Sequence, residues 1–398
     1  MAEQRAEHAD GEAELTASAA VPAHVLWHWA TPQAEHVLAR RDLAGILRFH
    51  RKITGTNQTA LGERLGYDKT YISALELGKR SVDDIASRRR IAQRLGLPPH
   101  VLGVTDSADV DHRAMVQFGE STIRLAEIAR QAGHAAEAVA ELWPLVARLE
   151  ARLAEGHGER EVLRLLAGAR LGLGVALGNV LPEERLSTAA RWTAKSLVIA
   201  RRFEDTRFTC QVMRMHGNEL RKSLLNGAAV DRLRHALALA TDHAAEAAVL
   251  PLLARAAGAL GDHELFDQTL QQAAALLEQT DQTSLFNPFA LHEIRLRGLL
   301  ATGRTRTAIQ LAQDEPPLTT TVAPQWQVIG LITSARVHMT AGDPRGAHDR
   351  LAAAVTEAAR QRLPHQLQRI LRTSRGALPD IEDAAATELH RLRREMAA

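Results

Sequence analysis

Apolar residues recur along this chain at the three- and four-residue spacing of amphipathic helices, almost to its end. The clearest local pattern lies between residues 40 and 103. Leu43, Ile46, Leu47 and Phe49 mark one helix face, with Asp42 at its start. Leu61 and Leu65 line the inner face of a second, short helix. Gly66 follows where the chain must turn sharply, and Asp68 is placed to cap a third helix with Ile72 and Leu75 inside. That helix stops at Gly78, before Lys79 and Arg80. Ile85, Ile91 and Leu95 mark a fourth helix ending near Gly96, and a short fifth follows Pro98 and Pro99. The pattern predicts a compact five-helix unit.

A polar stretch over residues 104–112 reads as a linker. Beyond it, from 113 to 398, turn glycines recur at Gly133, Gly261, Gly303 and Gly342. Five residues after each come Ala138, Phe266, Ala308 and Ala347; nine after come Leu142, Leu270, Ala312 and Leu351. These offsets put both residues on one helix face, ready to meet the preceding helix. Repeated helical hairpins are expected, six or seven of them, with the region around Gly227 in a different frame. Pro144 is expected to kink one helix after Trp143.

Composition supports an all-α protein: apolar residues are mostly Ala, Leu and Val, and aromatics make up 4%. The single cysteine, Cys210, excludes an internal disulfide and disfavours a thiolate metal cage, which suits a reducing cytoplasm. No apolar run approaches the ~20 residues of a membrane span. Residues 1–20 lack a signal-peptide core and read as a disordered tail, with residues 21–39 as an extension. Trp27 and Trp29 in that extension are expected to pack on the five-helix unit or on the repeats. Net charge is +2, yet residues 40–103 hold thirteen Arg and Lys against six Asp and Glu, so the remainder carries −5. A basic module on a mildly acidic body suits nucleic-acid binding by one end.

The two short helices around Gly66 have the pattern of a helix-turn-helix, in which the second helix enters the DNA major groove. Over residues 40–103 the chain resembles the Xre family of lambda-repressor-like domains, through Arg51, Gln58, Leu61, Leu65-Gly66, Ile72-Ser73, Glu76, Gly78-Lys79 and Leu95-Gly96. The resemblance implies base contacts by Lys69, Thr70, Ser73 and Ala74. It also implies a phosphate contact at Gln58 and a structural ion pair of Arg51 with Glu76. Residue chemistry agrees. Lys69 can donate to guanine and the Thr70 methyl can touch thymine, while Gln58, Tyr71, Lys79 and Arg80 suit phosphates. Arg88, Arg89 and Arg90 form either a solvated face or a flank to the DNA backbone. Three positions depart from the family: Thr56, Gly62 and Leu77 stand where Leu, Ala and Asn are common. The first two are expected to loosen the domain.

The hairpin offsets resemble tetratricopeptide repeats in degenerate form. An Xre domain followed by such an array resembles peptide-sensing regulators of Gram-positive bacteria and a broad group of actinobacterial regulators. That resemblance implies a sensor whose array binds a signalling peptide or small metabolite, as in quorum sensing, and alters operator binding. Asn179 and Asn218 each follow a glycine 39 residues apart, and an Asn amide can grip a peptide bond. With Arg214 and Arg221 they are candidate ligand residues; helix-end hydrogen bonding is the competing role. Trp192 and Trp326 are candidates for either pocket or core. Arg297, Arg336 and His338 are weaker candidates. The final helix carries Ile381, Ala385, Leu389, Leu392 and Met396 in one stripe, which either caps the array or forms a dimer seam.

No catalytic constellation is visible. Gly172, Gly174 and Gly178 have the wrong spacing for a dinucleotide loop, and His263-Glu264 and His292-Glu293 each lack the second His of a zinc-protease motif. The expectation is a cytoplasmic, homodimeric DNA-binding regulator with no cofactor, no metal and no enzymatic activity. The alternative is a DNA-anchored scaffold whose repeats dock a partner protein.

Overall fold

The computed structural model describes residues 29, 31–40, 42–97, 99–104, 112–154, 158–283, 285–313 and 322–397. The expected tail, Trp27, most of the linker and the Met396 side chain lie outside the described residues. The chain is all-α: nineteen helices packed as sequential pairs, with no strand among the described residues.

The amino-terminal unit comprises α1 (Pro32–Ala39), α2 (Leu43–Thr54), α3 (Gln58–Leu65), α4 (Lys69–Glu76) and α5 (Ile85–Leu95), then a 3-10 turn over Pro99–Leu102. Short polar side chains start these helices. Asp42, Asn57, Asp68 and Asp84 each accept hydrogen bonds from backbone N–H groups of the first turn. Ile46, Leu47, Leu61, Leu65, Ile72, Leu75, Ile91 and Leu95 form the core, whereas Ile85 is exposed. Trp29 completes that core. Its Nε1 donates to the Leu95 carbonyl at 2.8 Å and its ring lies against Phe49 and His50.

Gly62 does not loosen this unit. A Cβ there would lie 2.5 Å from the Tyr67 carbonyl oxygen. The glycine thus admits the tight turn in which the Tyr67 N–H donates to the Gly62 carbonyl at 2.8 Å. Thr56 also has a place, its hydroxyl sharing a hydrogen bond with Thr54 at 2.9 Å.

Seven hairpins follow: α6 (His112–Gln131) with α7 (Ala135–Ala154); α8 (Arg160–Val180) with α9 (Leu186–Ala200); α10 (Thr206–Lys222) with α11 (Asn226–Ala238); α12 (His243–Leu260) with α13 (His263–Leu276); α14 (Pro288–Ala301) with α15 (Thr305–Leu311); α16 (Pro324–Ala341) with α17 (Pro344–Arg360); and α18 (Pro364–Ser374) with α19 (Pro379–Ala397). Ala138, Phe266, Ala308 and Ala347 are all buried where each second helix meets its first. The turn glycines before them have left-handed φ. The third hairpin turns instead on Leu224, a non-glycine with φ 64°, which is why no glycine frame marks it in the sequence. Helix α7 runs on through Pro144, and α12 through Pro251.

The last hairpin returns to the second. Glu183 and Glu184, in the 3-10 turn between α8 and α9, meet α18 and α19. The Glu183 N–H donates to Gln368 Oε1 at 2.8 Å, and Gln368 Nε2 donates to Glu184 Oε2 at 2.9 Å. Arg372 grips the Glu183 carboxylate with both terminal nitrogens, and Arg393 reaches Glu184 at 2.7 Å. The array therefore closes on itself. Ile381, Ala385, Leu389 and Leu392 on α19 are buried in one core with α16, α17 and α18, so this stripe caps the array.

Candidate nucleic-acid interface and candidate ligand cavity

Helix α4 presents its first turn outward. Lys69 and Thr70 are exposed, and Ser73 and Ala74 are half-buried. Ile72, Leu75 and Glu76 face inward. Glu76 is the anchor. Arg51 grips its carboxylate from α2, Nε to Oε1 at 2.6 Å and Nη2 to Oε2 at 3.0 Å. Gln58 Nε2 donates to Glu76 Oε2 at 2.7 Å, and Arg48 donates to the Glu76 carbonyl at 2.9 Å. Burial alone would raise the Glu76 carboxyl; the bonds from Arg51 and Gln58 outweigh it and hold it below the usual range. Three helices are thus tied through one carboxylate.

Beside α4 runs a ladder of rings and cations. Tyr67 and Tyr71 stack at 4.6 Å between centroids. Arg80 lies 5.3 Å over Tyr71, and Arg90 lies 5.3 Å over Tyr67 while donating to its hydroxyl at 2.9 Å. Lys79, Arg80 and Arg90 are exposed. This edge offers fixed positive charge next to the outward turn of α4.

The second site lies inside the closed array. A cavity of about 250 Å³ draws its wall from the first helix of every hairpin. Arg130 comes from α6, Asn179 from α8, Asn218, Arg221 and Lys222 from α10, and Arg255 from α12. Arg297 comes from α14, Trp326 and Ile329 from α16, and His365, Arg369 and Arg372 from α18. Val175, Leu186 and Met215 add apolar wall.

Its charge is lopsided. Three cations have carboxylate partners: Arg130 with Glu127 at 2.5 Å, Lys222 with the fully buried Glu219 at 2.9 Å, and Arg372 with Glu183. The others are balanced less well. Arg255 lies 5.0 Å over the Trp326 ring, and its Nε makes no hydrogen bond. Burial pushes its guanidinium well below the usual range, and so does repulsion from Arg221, Arg297 and Arg369. Arg369 donates to Gln366 Oε1 at 2.8 Å; burial, then Arg297, Arg336 and Arg221, push it down as strongly. Burial, with Arg297 opposite, brings Arg221 to about 10; burial brings Arg297 to about 10 despite the Glu293 charge. His365 falls to about 3, from burial and the nearby Lys222 and Arg369 charges, so it is neutral at pH 7.

The asparagines are held by these charges. Lys222 donates to Asn179 Oδ1 at 3.3 Å, and Arg221 donates to Asn218 Oδ1 at 3.1 Å. Asn218 Nδ2 donates to Glu219 at 3.3 Å. Asn179, Asn218, Arg221 and Trp326 thus share one cavity wall, joined by Arg297. Arg214 and Trp192 are not among the lining residues. Arg214 reaches the Ala248 carbonyl at 3.5 Å, and Trp192 packs edge-on against Trp143 with Lys195 over its ring. Arg336 lines a neighbouring cavity that shares Arg369 and Arg372, and His338 pairs with Asp343 at 2.9 Å.

Sequence reasoning missed Arg130, Arg255, Arg369 and Arg372 as cavity residues. One signal was available: residues 247–260 of α12 read AAVLPLLARAAGAL, a stretch apolar all round except for Arg255. Among the described residues, no cluster of His, Cys, Asp and Glu could hold a metal ion, and no helix is long and apolar enough to cross a membrane.

No family model matches this chain, and no curated protein is significantly similar to it.

Proposed function

We propose that this chain is a sequence-specific DNA-binding transcription regulator with an Xre-type, lambda-repressor-like helix-turn-helix head. Its tetratricopeptide-like array binds a small signal and changes how the head meets its operator. The observation that carries this reading is the outward first turn of α4. Lys69 and Thr70 are exposed there, while Arg51, Gln58 and Glu76 fix the helix from behind. Lys69, Thr70, Ser73 and Ala74 would meet base edges; Gln58, Tyr71, Lys79 and Arg80 would meet phosphates. Gln58 keeps its carbonyl oxygen and one N–H beyond the bond to Glu76.

Symmetric operators call for two heads. Helix α6, the first of the array, carries Phe118, Leu125 and Ile128 exposed along one side, and a second copy of the chain is the occupant this reading gives it. The small, cationic cavity favours a compact ligand over protein docking in a broad apolar groove. Control by that ligand requires unequal affinity for two states of the dimer.

The test is an unbiased selection from random duplexes with purified protein. An enriched, two-fold symmetric site is expected. Lys69→Ala should then weaken the specific complex by ~1–3 kcal/mol and relax one base position. No enrichment over random competitor overturns the reading.

A further inference from the structure

We infer that the central cavity is built for a compact small molecule with at least two anionic groups, phosphate or carboxylate, held among Arg221, Arg255, Arg297 and Arg369. This deepens, and rests on, the reading of the array as a ligand sensor.

Four observations support it. The four arginines come from four separate helices, α10, α12, α14 and α18, and line one cavity. Glu219, the carboxylate that acts on Arg221 and Arg255, is already engaged by Lys222. Donors stand idle: Arg221 Nε, Arg255 Nε and Arg297 Nη1 make no hydrogen bond. Holding four half-buried guanidiniums against only the two carboxylates Glu219 and Glu293 is costly, and a multiply charged anion reduces that cost while accepting forked bonds.

Size selects within the anions. At about 250 Å³ the cavity falls just below ordinary ligand pockets, which span roughly 300–1,000 Å³. An extended peptide advances ~3.3 Å per residue and would outrun such a space within a few residues. A di- or tricarboxylate, or a small phosphorylated metabolite with its organic part against Val175, Leu186 and Met215, fits the charge and the room.

The occupant would also touch the closure of the array. Arg372 lines the cavity and grips Glu183 of the second hairpin. Arg369, one turn earlier on the same helix, faces the cavity and its neighbour. Binding would therefore change the charge balance at the joint that shuts the ring.

The experiment uses the full-length protein, without DNA, titrated calorimetrically with sodium pyrophosphate and with citrate. Sodium chloride at matched ionic strength and glycerol are the controls. Saturable binding of pyrophosphate or citrate is expected, with a rise in Tm that the controls do not give. Arg255→Met and Arg369→Met should each weaken that binding by roughly tenfold to a hundredfold. Arg207→Met, at an exposed pair with Asp242, should leave it unchanged. Both cavity variants should melt no lower than the wild type when ligand-free, because each removes a repelled charge. If they fail to fold, Arg255→Lys, which keeps the charge and loses the fork, reads the same loss in milder form.

A response no greater than that of sodium chloride overturns the inference. So does unchanged binding in the cavity variants, or tighter binding of a hexaglutamate peptide than of either small anion. Because DNA is absent, failure here leaves the duplex selection standing, and failure of that selection leaves an anion site standing.

Discussion

Glu76 holds α4 through one carboxylate that answers to Arg51 and Gln58 together. Removing it would leave Arg51 without its partner and free Gln58 from α4. Breaking buried pairs costs roughly 3–5 kcal/mol, and Arg51 is partly exposed, so Glu76→Ala should cost about 3 kcal/mol. Urea unfolding checks this; a shift under a third of that size would show that α4 is held by its apolar face alone. His216 gives a pH signature. Buried, and bonded to the Thr193 hydroxyl at 3.0 Å, it is held down to about 4 by burial and by the Arg232 charge. The unfolded chain takes up a proton near the ordinary histidine value and the native chain does not. Stability should therefore fall as pH drops below about 6.5, with about 2 kcal/mol from this group lost by pH 5. His216→Gln should reduce that loss between pH 7 and pH 5 in denaturant melts. At this scale the sequence was informative where chemistry is local. Asp68 and Gly66 announced a cap and a turn because both act within four residues. Arg255 and Arg369 did not announce a shared cavity, since 114 positions separate them and only the winding of the array brings them together.

Helices and turns tell a similar story one level up. The hairpin frame was visible at Gly133, Gly261, Gly303 and Gly342 because a left-handed turn favours glycine. It vanished at the third hairpin, where Leu224 takes that conformation. The last helix left two readings open in the sequence, for an apolar stripe looks alike whether its partner is the same chain or another; its burial against α17 and α18 decides for capping. Among the described residues, α6 carries three of the exposed large apolar side chains, Phe118, Leu125 and Ile128. Leu125 is 66% exposed, so under the proposed dimer Leu125→Glu should leave the melting temperature almost unchanged while shifting sedimentation toward monomer. A dimer of unaltered strength would place the second copy elsewhere. Between α3 and α4, Gly62→Ala would drive a Cβ into the Tyr67 carbonyl. The turn would have to open, at a cost of about 1–3 kcal/mol. Under the proposed DNA-binding function, loss of operator affinity beyond the loss of stability would show that the angle between these helices sets the reach of Lys69.

At the scale of the whole molecule, the contact of Glu183 and Glu184 with Gln368, Arg372 and Arg393 joins positions more than 180 residues apart. Open stacks of hairpins lose structure from their free ends, each repeat answering only to its neighbours. Here the terminal hairpin is a neighbour of the second as well. Truncating the chain before Pro364 should therefore speed amide exchange in α8 and α9, far away in sequence, as well as in α17. A clasped bracelet has no loose end from which to unravel, so this array should melt in one step, and it should fold slowly, because its longest loop must close before the clasp can fasten.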